Sequence, residues 1–383
     1  MMRGHPAGQL KESHHTMFIN ESRTLFSRDY AEAREKFCRA ATLRGLAIDS
    51  TTLPLSGASG ETLATDVVFD GPRDATRLVI LISGVHGVEG YCGSAIQTGV
   101  LGLGPVTAPD TAVLHIHAIN PYGFSHSRRA TQENIDLNRN FVDFSVPLPV
   151  NDRYADIHDL LLPPEWPPTD ENESTLDILR RQWGMRGYQR AVGLGQYAFE
   201  DGIHYGGREP AWSNLTFRQI LRKYAQQCRR IGSIDVHTGL GPYAYGERIF
   251  ACPDEAQTLA RARRWWGDCV TSVNLGTSTS IPMTGPIQFG QFEECGQSEQ
   301  TNICLEFGTH PLSVVLPAMR AEHWLHRHGS ADTRQAAAIR QTFKDAFYPQ
   351  DDNWQSAIWE QGRDVFLQTM DGLQDDTTRA QTV

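Results

Sequence analysis

The chain has 383 residues, 40% of them hydrophobic and 21% charged, with a formal net charge of −10. That is the composition of a globular protein long enough to bury a sizeable core, and it excludes a largely disordered chain. The acidic balance argues against a sequence-independent grip on nucleic acid, which needs clustered positive charge. Apolar runs such as Leu78 to Ile82 are too short to cross a bilayer, so no membrane association is expected.

Residues 1–16, "MMRGHPAGQLKESHHT", lack the apolar stretch of a secretory signal. They read as a disordered extension, and the expected location is the cytoplasm. Ser27 to Gly45 has helical spacing, with Tyr30, Ala33, Phe37, Ala40 and Ala41 on one face and Gly45 as the stop. "ATDVVFD" and "RLVILIS" read as strands, the first alternating and the second fully buried. After Gly90, "YCGSAIQTGVLG" reads as a helix, and "TAVLHIHAINP" as a strand closed by Pro121.

From Phe144 to Ser213 the chain turns rich in proline, glycine and acids. Insertions of that kind usually cover a site or bind something. A helix around Thr216 to Arg229 follows, then the strand "RIGSIDVHTG" and the amphipathic helix "DEAQTLARARRWWGDCV". The buried strand "TNICLEFGT" and the helix "VVLPAMRAEHWLHRHG" come next, with His323, His326 and His328 read as a solvated face. Strands alternating with helices predict an α/β fold, a mixed, largely parallel sheet flanked by helices. The expected organisation is one catalytic domain over 17–365 with an insertion at about 144–213, and a disordered tail over 366–383. Cys38, Cys92, Cys228, Cys252, Cys269, Cys295 and Cys304 contain no C-x-x-C pair, which points to buried thiols rather than disulfides.

The chemistry gathers where strands end. In "LISGVHGVEGYCGS", His86 and Glu89 follow a buried strand in the turn before a helix, the edge of a parallel sheet where ligands bind. Glycines at 84, 87 and 90 allow the tight turn that lets two side chains converge on a metal; the other reading is a capping glutamate. "SIDVHTGLG" offers His237 at a second strand end as a third ligand, and Asp235 either orients its imidazole or caps the next turn. The loop "NPYGFSHSRRATQENIDLNRNF" sets Asn138, Arg139 and Asn140 between Leu137 and Phe141, with Arg128 and Arg129 upstream. Guanidinium and amide groups so placed suit a carboxylate pocket, or else a structural salt-bridge loop. Glu306, inside an apolar strand, is either poised for proton transfer or paired with an arginine. His115 and His117 share a strand face and could chelate a metal, though packing is the plainer role; His204 and Tyr205 of the insertion could touch substrate.

In chain order, H-G-x-E-G, N-P-x-G, R…D-L-N-R-N-F, D-x-H-T and L-E-x-G resemble the zinc carboxypeptidase superfamily, over roughly Val79 to Thr309. The Asp-Val-His-Thr and Leu-Glu-Phe-Gly forms look particularly like its succinylglutamate desuccinylase and aspartoacylase branch. With the "YGG…WSN" insertion, the pattern looks closer still to a bacterial carboxypeptidase-like branch known as a domain of unknown function. The resemblance implies one zinc per chain on His86, Glu89 and His237, and Glu306 as general base. It implies Arg129, or less readily Arg128, as the residue that meets the carbonyl oxygen, with Asn138 and Arg139 holding a substrate carboxylate. The mobile tyrosine of digestive carboxypeptidases has no counterpart between Tyr245 and Tyr348, which leaves Tyr205, Tyr243 or Tyr245 to replace it.

The expected activity is therefore hydrolysis of an amide bond in a small-molecule or short-peptide substrate that bears a carboxylate. The alternative is an inactive carboxypeptidase-like module that binds a carboxylate ligand or a partner. The residues do not fix the oligomeric state.

Overall fold

The computed structural model describes residues 22–330 and 333–375. A seven-stranded sheet runs in the order β1-β2-β4-β3-β5-β7-β6. The strands are β1 (Ile48–Ser56), β2 (Thr62–Asp70), β3 (Arg77–Ile82), β4 (Thr111–His117), β5 (Arg230–Tyr243), β6 (Gly246–Phe250) and β7 (Glu299–Gly308). The four central strands β4, β3, β5 and β7 are parallel, and β1, β2 and β6 are antiparallel to their neighbours. The fold is thus the mixed, largely parallel α/β arrangement expected.

Alternating side chains of β3 feed two cores. Val79 and Leu81 face one, with the helices Gly90–Gly102 and Asp352–Gln374; Leu78, Ile80 and Ile82 face the other, with the helix Trp212–Tyr224. Burial on both faces is why β3 reads as an unbroken apolar run. β2 departs from the alternation expected of it. Beyond Thr62 every residue is buried, because the helix Tyr30–Leu43 covers it through Phe37 and Ala41 against Val68.

The insertion builds a third core of its own. Tyr154, Leu161, Leu176, Tyr188 and Ile203 pack with Val315, Trp324 and Phe343 from the helices Leu312–His328 and Arg334–Phe347, and with Val88 of the site turn. His323 lies in this interior, so the solvated face read for His323, His326 and His328 is corrected at His323; Glu322 beside it is buried as well. The boundary of the tail is corrected too. The helix Asp352–Gln374 buries Phe366, Thr369 and Leu373, well past residue 366. The extension over 1–16 lies outside the described residues. No helix among those described is long and apolar enough to cross a membrane.

Candidate metal and catalytic site

The chain leaves β3 toward β4 on one side and returns as β5 on the other, so the carboxyl end of β3 is the switch point of the sheet. The turn after β3 begins with Gly84 in the left-handed region (φ 70°). Gly87 then passes so close to Gly123 that a Cβ would meet its carbonyl carbon at 1.9 Å. Gly87 and Val88 donate their backbone N–H groups to the carbonyls of Arg129 and Arg128, which ties the turn to the arginine loop. Glu89 heads the helix Gly90–Gly102 but makes no side-chain cap, which disposes of the capping reading.

Its carboxylate instead meets two histidines. Glu89 Oε1 lies 2.9 Å from His86 Nδ1, Glu89 Oε2 lies 2.9 Å from His237 Nδ1, and the two Nδ1 atoms are 3.1 Å apart. This is the one group of three or more metal-ligating side chains among the described residues. All three are buried. Such spacings suit donors that share one cation about 2 Å from each. The far nitrogens are anchored as well: His86 Nε2 is 3.1 Å from Asp136 Oδ1 and His237 Nε2 is 2.8 Å from Asp235 Oδ2. Asp235 is held in turn by Gln288, which donates from Nε2 at 3.0 Å. Two carboxylate-anchored imidazoles and a carboxylate, converging through their remaining donor atoms, form a donor set that fits zinc.

The electrostatics agree with that assignment. Burial opposes the charge on Glu89, yet His86 and His237 hold its carboxyl far below the usual range. Burial also works against charge on His237, but Asp235 and Glu89 raise its pKa well above the ordinary value. The pocket around these atoms favours a positive charge at its centre.

Glu306 is the register partner of His237 across β5 and β7, and Leu240 donates its backbone N–H to Glu306 Oε1 at 2.9 Å. Burial and the nearby Glu89 charge push its carboxyl up to about 8. A carboxyl in that range can both take and return a proton near neutrality.

The two candidate arginines part company. Arg129 donates from Nη1 to Glu89 Oε1 (3.0 Å) and from Nε to Asp136 Oδ2 (3.1 Å), and its Nη2 lies 2.8 Å from His86 Nε2. Arg128 turns the other way, to Glu322, Asn134 and His326. Asn138 and Arg139 follow Asp136 in one short turn. Asn138 Oδ1 accepts from the Ile287 backbone N–H at 3.0 Å. Arg139 is almost fully buried, donating to the carbonyls of Asn138 and Gly193, while its Nε has no hydrogen-bond partner among the described residues. Gly195 packs on its stem, where a Cβ would come within 2.6 Å of Cδ. The insertion therefore caps the arginine expected to grip a carboxylate.

Among the tyrosines, Tyr243 at the end of β5 and Tyr245 just after it are exposed, while Tyr205 is buried and its carbonyl accepts from Asp136 N. His115 and His117 stay away from the site. Their rings pack by Phe37, His117 stacking on it at 4.4 Å, and no metal group forms there among the described residues. Asp136 had escaped notice. Its only signal was its place before Leu-Asn-Arg-Asn, yet Arg129, His86, His204 and Asn138 all converge on it.

A mixed, largely parallel α/β sheet with His, Glu and His gathered at its switch point is the class this architecture defines. The chain belongs to the family described as "Protein of unknown function (DUF2817)", whose model matches residues 26–361. No curated protein matches the sequence. Among solved structures it is similar to the carboxypeptidase A of Helicoverpa armigera, at 11% identity over 85% of this chain and 75% of that one, with a TM-score of 0.41. It is also similar to a succinylglutamate desuccinylase from a Silicibacter species, at 12% identity over 79% and 65% of the two chains, with a TM-score of 0.33. An aspartoacylase family protein of Mesorhizobium loti matches at 13% identity over 76% and 68%, with a TM-score of 0.33.

Proposed function

We propose that this chain is a cytoplasmic zinc-dependent hydrolase that cleaves an amide bond in a small carboxylate-bearing substrate, an N-acyl amino acid or a short peptide. The observation that carries the reading is the convergence of His86 Nδ1, Glu89 and His237 Nδ1 beside the in-register Glu306. These three ligands would hold one zinc ion per chain. When bound, zinc supplies Lewis acidity, which acidifies a water and polarises a carbonyl oxygen.

Glu306 takes the proton from the attacking water and returns it to the leaving nitrogen, a shuttle its raised pKa suits. Arg129 meets the negative charge that grows on the carbonyl oxygen. Asn138 and Arg139 hold the substrate carboxylate. Arg139 exchanges main-chain carbonyls for a charged acceptor, which forms the stronger hydrogen bond. Asp136 and Asp235 hold the histidine rings in register throughout.

The test is metal content by mass spectrometry on wild type and His237→Ala, followed by a screen of acyl amino acids and short peptides with wild type and Glu306→Gln. About one zinc in wild type, almost none in His237→Ala, and turnover cut about 10²-fold or more in Glu306→Gln support the reading. Metal-free wild type, or turnover undiminished in Glu306→Gln, refutes it.

A further inference from the structure

The insertion delivers one more functional group to the site. His204 lies on it with φ 52°, a left-handed conformation uncommon for a residue with a side chain. The surroundings enforce this geometry: His204 O accepts from Gln196 N, and the next carbonyl, Tyr205 O, accepts from Asp136 N at 2.8 Å. The ring is buried, and its Nδ1 is 2.8 Å from Asp136 Oδ2. The other oxygen of that carboxylate faces His86. One carboxylate thus spans a candidate zinc ligand and an imidazole from the insertion.

The tautomer follows. Asp136 takes the Arg129 Nε–H at Oδ2 and the Asn138 backbone N–H at Oδ1, so its carboxylate serves as an acceptor. Burial, with Arg139 and Arg129 nearby, lowers the His204 pKa to about 3 despite Asp136, so the ring is neutral. Nδ1 must then carry the proton, and Nε2 is left as an acceptor with no protein partner among the described residues. The other groups proposed to hold substrate here, the two guanidiniums and the Asn138 amide, are donors. Glu306 is an acceptor, but it is committed to the moving proton.

We infer that His204 is a specificity-determining residue whose Nε2 accepts the N–H of the scissile amide, so that the site takes amides in preference to the matching esters. The inference rests on the hydrolase reading for the substrate's class. Of itself, an activated water attacks either bond. An N-acyl amino acid offers a carboxylate for the donors and, two bonds away, a single N–H for His204. The matching ester lacks that hydrogen and leaves Nε2 desolvated and unpaired.

The probes are N-benzoylglycine and O-benzoylglycolic acid, which differ in this one N–H. Their dissociation constants are measured by calorimetry on zinc-loaded Glu306→Gln protein, with and without His204→Asn. Asparagine tolerates the left-handed backbone and can still donate to Asp136, but it lacks the distal acceptor. The amide should bind roughly three- to tenfold more tightly than the ester when His204 is present, and the ratio should fall to about one in His204→Asn. Should that variant not fold, His204→Gly removes the ring at a backbone angle glycine adopts freely. An unchanged ratio, equal binding of the two probes, or binding of neither overturns the inference. Wild type that binds the amide selectively yet hydrolyses no amide refutes the hydrolase reading alone.

Discussion

His237 and Glu306 stand side by side as register partners on β5 and β7, one a candidate metal ligand and the other the candidate base. The base must be ionised to act, so kcat/KM should rise from the acid side through the Glu306 pKa. That carboxyl stands at about 8 beside the Glu89 charge, and a divalent cation next to it favours the carboxylate. In zinc-loaded enzyme the acid limb should therefore fall below 8 and vanish in Glu306→Gln, with kcat reduced about 10²-fold or more. A pH–rate profile of both proteins checks this, and a limb at or above 8 contradicts it.

Asp235 is 2.8 Å from His237 Nε2 and also receives Gln288. Asp235→Asn keeps the shape but weakens the hold on the ring, so zinc affinity should drop about 10- to 100-fold with little change in fold. Competition with a zinc chelator gives the number. Unaltered affinity would reduce Asp235 to a strand-end carboxylate.

Adjacent arginines should fail differently. Arg129→Ala should lower kcat about 10²- to 10³-fold while the protein stays folded. Arg128→Ala strands Glu322 as a buried, uncompensated charge and should cost about 3–5 kcal/mol of stability. Urea denaturation beside steady-state kinetics separates the two outcomes.

Gly87→Ala would drive a methyl group into the Gly123 backbone. Displacing the turn should cost about 1–3 kcal/mol and weaken zinc binding. Gly102→Ala, where an added Cβ meets nothing within 4 Å, is the control. Thermal melts and metal titrations of the pair would show whether the effect belongs to the turn.

Acid should destabilise the fold through its buried histidines. Burial lowers the pKa of His115 to about 3, and of His117 and His323 to about 4, from an ordinary 6.5. Between these values the unfolded chain binds protons that the native one refuses. The contribution is therefore complete above 6.5 and is lost progressively as pH falls toward 4. Each such histidine steepens the loss by at most about 1.4 kcal/mol per pH unit. His323→Phe should flatten the fall in urea midpoint between pH 7 and pH 5 relative to wild type.

Strands buried on both faces and glycine-marked turns announce themselves locally, which is why β3, β4, β5 and β7 and the residues at their ends could be read from the chain. β1 and β6 could not. β1 is a polar edge strand with Pro54 at its register shift, and β6 is five residues long with Glu247 and Arg248 inside it. His86, Glu89, His237 and Glu306 were legible because each polar side chain interrupts an apolar or glycine-rich context. Asp136 was not, since an acid in a polar loop looks solvated until His204, 68 residues away, is folded onto it. The interior position of Glu322 and His323 was hidden for the same reason: their cover comes from the insertion and from Arg128.

The Nδ1 atoms that meet at 3.1 Å belong to residues 151 positions apart. No local segment can therefore form the candidate metal pocket; it exists only once β3 and β5 have paired across everything between them. Such long-range closure is slow to reach. Once it is complete, bound metal stabilises the whole native state by mass action rather than one loop. On the zinc reading, metal retention would double as a proofreader of folding: a chain with a misregistered sheet would be marked by the absence of its ion.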